Sequence, residues 1–537
     1  MKTPRTQTAG PTEGAIFGSD RAGRPIWRLL IFVIISAAAA AAAFPPLEIN
    51  ALAWVALVPL YLAVSQCHPQ QGFALGLVFG VLFMGYCSSF AGQFGFLPWA
   101  AISLLMGLFY ALFGMIGGLL APLNDPPLRV LGLAGAWTLC ELARGYFGPF
   151  AYSFGQIGYS QHAMIPMLQV ASMTGVYGLG MLMAATTAGI ATLLQAFLPP
   201  GKWYYPPGDH RQFTRMAGRT MLAVYAAVFI TYVWGAMVVG RADDEVTSGL
   251  KVAAVQGNIS IKPGETSYEL DETLDIYFSL TKELPEDVRL VVWPETAIPA
   301  YLNEQPELQR RVAGLAKTLD TYMLVGALDR TNDRIYNGAF LFSPDGELTD
   351  VYRKMDLVMF GEWVPYREEL PFLKRYPIRE WDFSPGSQRT VMFVDGLAIS
   401  PIICFEAIFS RASREVTHLD AECIVVLNSD AWADRSAEIM HNSYTAPLRA
   451  AESRRPLVRA ASTGVSGIYD SYGRPVETVP ANSQGTAVAR IEGRGHLSAY
   501  DKWGDAPVIV ICMLGLIMAL VNLPHRRLAS APPRADS

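Results

Sequence analysis

Eight apolar runs constrain this chain more than any other feature. They cover approximately Arg28–Phe44, Ala51–Gln66, Gly72–Ala91, Pro98–Ala121, Leu128–Tyr146, Ile165–Leu198, Arg219–Gly240 and Pro507–Leu523. A run of about 18 residues crosses a ~30 Å hydrocarbon core as a helix. Inside that core every backbone polar group must be satisfied within the segment, so helices are the form such runs can take. The composition agrees, with 51% hydrophobic and 17% charged residues and a mean hydropathy of +0.25. The first run has basic Arg21, Arg24 and Arg28 before an alanine-rich stretch, as a signal peptide would. Further apolar runs follow at once, so a retained first helix is expected.

Basic residues near the run ends set the expected orientation. Lys2, Arg5, Arg21 and Arg24 precede the first run, Lys202, Arg211 and Arg215 lie between the sixth and seventh, and Arg526, Arg527 and Arg534 follow the eighth. With eight spans all three segments fall on one side, the cytoplasmic one. The polar region after the seventh then faces outward. The expected division is a cytoplasmic tail over 1–27, a seven-helix membrane domain over 28–240, an extracytoplasmic domain over 250–500, a last transmembrane helix over 507–523 and a cytoplasmic tail over 524–537. Both tails, with Pro and Ser, read as unstructured. The outward loop Gly145–His162 carries Tyr146, Phe147, Phe150, Tyr152, Phe154 and Tyr159. It reads either as an interfacial aromatic belt or as the lining of a route for lipid.

From Gly249 the pattern changes to short apolar runs between turn residues. Strands are predicted at Lys251–Gln256, Val288–Trp293, Met323–Ala327, Ala339–Phe342, Thr390–Val394, Leu397–Ile403, Cys423–Leu427 and Leu457–Ala460. Helices are predicted at about Leu270–Leu284, Glu307–Leu319 and His441–Arg454, and hairpin turns at Asp345-Gly346 and Asp395-Gly396. This is an α/β domain of mixed sheets covered by helices. The net charge of −5, without a cluster of Lys and Arg, argues against nucleic acid as a partner. The six cysteines show no metal spacing, and no P-loop or dinucleotide fingerprint appears, so neither metal nor organic cofactor is expected. A Cys404–Cys423 disulfide is the weaker reading of those two residues.

Three segments of this domain carry acyl-transfer chemistry. Cys404 ends the apolar run Ser400-Pro401-Ile402-Ile403, Glu295 ends Val291-Val292-Trp293-Pro294, and Lys354 ends Tyr352-Arg353. A thiol attacks as thiolate, a carboxylate can take its proton, and an ammonium favours the thiolate and can hold an oxyanion. Each signal alone is weak: a strand-end cysteine is more often core filler, and Arg-Lys more often a solvated turn.

Together, in the order Glu, Lys, Cys, they resemble the nitrilase superfamily. Val255-Gln256-Gly257-Asn258, Trp293-Pro294-Glu295-Thr296, Tyr336-Asn337, Phe360-Gly361-Glu362-Trp363-Val364-Pro365 and Ile403-Cys404-Phe405-Glu406 sharpen the likeness. So do Asn428-Ser429-Asp430-Ala431-Trp432 and the run from Arg459 to Gly467. With the apolar runs around them, they resemble the apolipoprotein N-acyltransferases, membrane-embedded members of that superfamily. The resemblance implies an αββα sandwich and transfer of a fatty acyl chain from a glycerophospholipid, through a cysteine thioester, to the α-amine of a lipoprotein's diacylglyceryl-cysteine. It implies Glu295 as base, Lys354 as oxyanion stabiliser and Cys404 as nucleophile, in the inner membrane. Glu362 matches a second family glutamate that positions the site, and Glu406 either another or a structural salt bridge. Asn337, Phe405 and Trp432 are carried over as substrate contacts. Phe405 stands where Tyr is usual, and Ala433-Asp434 where an aromatic and glycine are commoner. Two competitors stay open: a membrane-tethered amidase acting on a small molecule, and a non-catalytic lipoprotein-binding module.

Overall fold

The computed structural model describes residues 19–199, 203–242, 249–259, 270–369, 382–430 and 438–524. Trp432, Ala433, Asp434, Lys2, Arg5, Lys202, Arg526, Arg527 and Arg534 lie outside the described residues, as do the ends of both predicted tails.

All eight apolar runs are helical, but they are not alike. The helices are α1 (Leu30–Ala42), α2 (Val58–Val64), α3 (Pro69–Cys87), α4 (Phe96–Leu120), α5 (Pro126–Gly145), the short α6 (Ile165–Leu168), α7 (Ala171–Phe197) and α8 (His210–Val239). Among the described residues four are long and apolar enough to cross a membrane: α3, α4, α7 and α8. The first and second runs form shorter helical stretches, Ile26–Ala42 and Asn50–Val64, as does the last, Ala506–Val521. α5 has the length but carries Arg129, Glu141 and Arg144, all buried. Eight full spans are thus more than the helices establish by length and composition.

Helices α3 and α4 pack closely because glycine leaves room. A Cβ on Gly72 would lie 2.1 Å from the Gly114 carbonyl oxygen, and one on Gly76 2.2 Å from that of Tyr110. Small residues at four-residue spacing let helix backbones touch in an apolar setting. At one end of the bundle Arg21 and Arg24 stack over Tyr204 and Trp203. The basic segment before α1 and the loop after α7 therefore meet there.

The second region is a four-layer α/β sandwich. Its elements are β1 (Leu250–Gln256), α9 (Leu270–Lys282), β2 (Leu290–Val292), β3 (Ile298–Tyr301), α10 (Pro306–Leu319), β4 (Tyr322–Thr331), β5 (Arg334–Phe342), β6 (Leu348–Arg353), β7 (Met392–Val394), β8 (Leu397–Ile403), α11 (Ser410–Thr417), β9 (Cys423–Asn428), α12 (Glu438–Ser443), α13 (Thr445–Ser453), β10 (Leu457–Ala461), β11 (Ser466–Tyr469), β12 (Pro475–Val479), β13 (Gly485–Ile491) and α14 (Ala499–Trp503), followed by α15 (Ala506–Val521). One sheet runs β13-β1-β2-β4-β5-β6, with β3 beside β4, and the other β12-β11-β10-β9-β8-β7. Both have a parallel centre, β1-β2-β4 and β8-β9-β10.

Alternation along each strand divides the layers. On β9, Cys423, Val425 and Leu427 enter the core between the sheets. Ile424 and Val426 face the outer layer with α11 and α13. β1 and β4 make the same division on the other side, where Val325 and Ala327 pack with residues of α9 and α10. Asp395-Gly396 turns β7 into β8 with φ of 47° and 85°, the pairing that a two-residue hairpin needs.

The predicted His441–Arg454 helix is broken at Tyr444 into α12 and α13. All six cysteines are free. Cys423 pairs with Ile399, five residues before Cys404 and hence roughly 16 Å along the strand, too far for a disulfide.

Candidate active site

Glu295, Cys404 and Asn428 each follow or close a strand at the carboxyl end of the parallel centre of a sheet, where an open α/β sheet offers its crevice. The Trp293-Pro294-Glu295 turn leaves β2 beside Gly326 of β4, where a Cβ would meet the Pro294 carbonyl oxygen at 2.1 Å. Only glycine lets that turn lie against the sheet. Lys354 follows β6, its backbone N–H donating to the Asn337 carbonyl of β5 at 2.9 Å.

The side chains converge on the Lys354 ammonium. Nζ donates to Glu295 Oε1 at 3.0 Å and to Glu362 Oε1 at 2.9 Å. Asn337 Nδ2 donates to the same two oxygens, at 2.6 Å and 3.2 Å. The other oxygen of each carboxylate takes a backbone N–H: Ser429 to Glu295 at 2.8 Å, and Val358 to Glu362 at 2.8 Å. Glu295 is thus clamped from both sheets. Asn337 contacts the two carboxylates, and Glu362 joins Glu295 in a three-residue charge cluster. Burial alone would lower the lysine's pKa, but Glu295 and Glu362 outweigh it and push it well above the usual range.

Cys404 sits in the turn between β8 and a 3-10 segment, Cys404–Ile408, with φ of 51°. A non-glycine residue in the left-handed region costs on the order of 1 kcal/mol, and here it presents the thiol at the strand end as a nucleophile elbow does. Only 3% of Cys404 is exposed. Burial, then Glu295, raise its pKa well above the ordinary value, and Lys354 only partly opposes them. The cluster's formal charge of −1 (Glu295, Glu362, Lys354) favours keeping the proton until a base takes it.

Glu406 behaves differently. Its Oε1 accepts from Tyr352 Oη at 2.7 Å, Met355 N at 2.8 Å and Arg389 Nη1 at 2.5 Å, and its Oε2 from Ile403 N at 2.6 Å. It is fully buried and salt-bridged to Arg389. It ties the Cys404 turn to the segment after Lys354.

Phe405 points away from this cluster and packs on Tyr152, Phe154 and Phe409, with ring centroids 6.5, 6.1 and 5.2 Å apart. The aromatic loop after α5 is therefore largely not a belt. Tyr152, Phe154 and Tyr159 are buried between the two regions, and only Tyr146 and Phe147 are well exposed. The charges in α5 explain the fold of that loop: Glu141 Oε1 accepts from Ile157 N at 3.0 Å, and Arg144 donates to the Phe154 carbonyl. Beside Phe405 lies a cavity of about 410 Å³, walled by Ala151, Leu357, Trp363, Phe383 and Phe409 with Arg411 at its rim.

Sequence reading missed Asn442 and Arg389, and quoted Asn428 only as part of a motif, with no role. Arg389 pairs with Glu406, Asp356 and Glu415. No spacing rule marks isolated amides, and a lone arginine before β7 reads as surface.

A family model described as the apolipoprotein N-acyltransferase N-terminal domain matches residues 36–189, and one for carbon-nitrogen hydrolase matches residues 251–495. An apolipoprotein N-acyltransferase of Geobacter metallireducens is 32% identical over 498 residues, covering 88% of this chain and 91% of that protein. The chain belongs to the apolipoprotein N-acyltransferase family. It is an enzyme, an acyltransferase, with a nitrilase-like catalytic domain. The family's Pseudomonas putida member is 27% identical and covers 93% of this chain and 97% of its own length. An amidase from Nesterenkonia sp. AN1 covers 48% of this chain and 98% of its own at 16% identity, with a TM-score of 0.36.

Proposed function

We propose that this acyltransferase works by a ping-pong reaction on Cys404, moving a fatty acyl chain from a glycerophospholipid to the α-amine of diacylglyceryl-cysteine on a lipoprotein. One observation carries the reading: a buried ammonium held between two carboxylates beside a strained, buried thiol. In the first half-reaction Sγ attacks the ester carbonyl and its proton passes to Glu295. Two of the three ammonium N–H groups of Lys354 are engaged by carboxylates, so the third is directed to the oxyanion with a backbone N–H at Phe405. The ester C–O bond breaks, Glu295 returns the proton to the leaving alkoxide, and lysophospholipid departs. In the second, the neutral amine attacks the thioester, Glu295 takes the amine proton and returns it to the sulfur as the C–S bond breaks. The site's net negative charge attracts an incoming ammonium, and the amine attacks once that proton has left to solvent.

Asn337 and Glu362 hold Glu295 and Lys354 in place, and Phe405 with Trp432 contacts lipid. The catalytic domain lies outside the inner membrane and both termini inside. The meeting of the Arg21–Arg24 segment with the loop after α7, at one end of the bundle, supports this arrangement. Excluding water protects the thioester from hydrolysis. Enzyme in detergent micelles with phospholipid and a diacylated lipopeptide should yield N-acyl peptide. Release of free fatty acid alone would make it a hydrolase and overturn the reading.

A further inference from the structure

Among the described residues the Cys404 sulfur has one polar side-chain neighbour within hydrogen-bonding range, and it is not Glu295, Lys354 or Glu362. Asn442 Nδ2 lies 3.9 Å from Sγ, the long reach that a sulfur acceptor allows, and 2.5 Å from Asn428 Oδ1. Asn428 closes β9, next to the Ser429 N–H that holds Glu295, and Asn442 rides on α12. Both amides are buried, at 0% and 2% exposure. Asn428 Nδ2 and Asn442 Oδ1 have no hydrogen-bond partner among the described residues. An unmet buried polar atom costs about 1–3 kcal/mol, so apolar residues would pack this corner more stably. The amides stay polar where the sulfur must change charge.

The helix that carries Asn442 is clamped by the other region of the molecule. The His441 ring packs against Phe44 and Phe154, with centroids 5.2 and 6.4 Å away. Tyr444 stacks on His162 and donates to Glu48. Asn442 Nδ2 is therefore positioned from two sides, by Asn428 at a strand end and by residues of the helical bundle and its loops.

We infer that Asn442 is a further catalytic residue, an amide N–H donor to the Cys404 sulfur aimed by the Asn428 carbonyl oxygen. The inference rests on Cys404 being the nucleophile. As the thiol proton leaves for Glu295, negative charge grows on a sulfur whose surroundings otherwise oppose it. A donor already in place stabilises that charge without reorganisation. The same N–H steadies the sulfur again when the amine expels it from the thioester. Lys354 is thereby freed for the oxyanion, and the two developing charges have separate donors.

The test is the pH profile of Cys404 alkylation by iodoacetamide in the full-length enzyme, read peptide by peptide by mass spectrometry, together with kcat for acyl transfer. A hydrogen bond to a charged group supports about a ten- to a hundredfold effect. Asn442→Ala should slow Cys404 alkylation and kcat by about that factor and move the profile up by about one to two pH units. Asn442→Asp, nearly isosteric, should move it further because a carboxylate repels the thiolate. Asn428→Ala should move it in the same direction by less. If Asn442→Ala does not survive extraction, the other two variants decide. Profiles for Asn442→Asp and Asn428→Ala that superimpose on wild type would overturn the inference and leave the amides as packing. Acyl transfer by Cys404→Ala at the wild-type rate would instead sink the nucleophile reading, whatever the amide variants show.

Discussion

Two buried charge clusters flank the Cys404 turn, and they differ in what they leave unspent. Around Arg389, every guanidinium nitrogen is engaged: Glu406, Asp356 and Glu415 surround it, and Glu406 also accepts from Tyr352 and from the backbone N–H groups of Met355, Asp356 and Ile403. Around Lys354, two carboxylates share one ammonium and an amide, with one N–H of the ammonium in hand. A saturated network specifies a fold and resists change. An unsaturated one can pass a proton and hold a new charge. On the proposed mechanism, the Arg389 cluster builds the site and the Lys354 cluster acts in it.

The contrast breaks most sharply if the Lys354 cluster proves structural. Glu295→Gln keeps a hydrogen-bonding side chain but cannot take a proton, and Lys354→Arg keeps the charge but redirects its donors. Each should cut acyl-enzyme formation by at least about 10²–10³ in enzyme that still folds in detergent. A loss of folding instead would put both residues in the class of Glu406.

Glu406→Gln should do the reverse. Arg389 keeps Asp356 and Glu415, so the penalty should sit near the low end for a broken buried pair, about 3 kcal/mol, read as a lower denaturant midpoint. Enzyme that remains folded should still form thioester. Cys423→Ala sharpens the same line at smaller scale, since Cys423 shares the inter-sheet core with Cys404 but lies on a strand away from Glu295 and Lys354, with its Sγ donating to the Ile424 carbonyl. It should cost about 1 kcal/mol of stability and keep transfer activity.

The reach of the sequence follows the same division. Glu295 and Cys404 were legible because a carboxylate and a thiol stand at the ends of apolar strands, and Lys354 and Glu362 mainly through the resemblance that runs from Tyr352 to Pro365. Asn442 was not, because its partner Asn428 is 14 residues away and neither amide carries a charge to flag it. The strands made of apolar runs between turn residues were predicted. β3, β6, β11, β12 and β13 were missed because Ile298–Tyr301, Leu348–Arg353, Ser466–Tyr469, Pro475–Val479 and Gly485–Ile491 are short, polar or partly exposed. The aromatic loop after α5 was read for its composition. Its burial depends on Glu141 and Arg144, whose contacts reach across a turn that periodicity does not encode.

The smallest expected effect lies where the two regions meet. Glu452 of α13 accepts from Val176 N at 2.7 Å, at the Gly175 kink of α7, and from Ser410 Oγ at 3.0 Å. Burial raises its pKa to about 7, with Arg449 opposing. The folded state thus holds this proton more tightly than the unfolded chain. The stabilisation is full below about pH 4.5 and fades as pH rises through about 7. Melting temperatures in detergent should fall from pH 5 to pH 8, and fall less in Glu452→Gln. Equal slopes would mean that Glu452 stays charged where it sits.

Everything above turns on the sulfur of Cys404. Purified enzyme incubated with phospholipid alone, quenched in acid and digested, should show one acyl mass on the peptide containing Cys404 and an equivalent of lysophospholipid. Neither should appear in Cys404→Ala, and the Cys423 peptide should be unmodified. An acyl mass on another residue, or lysophospholipid released at the wild-type rate by Cys404→Ala, would contradict the account.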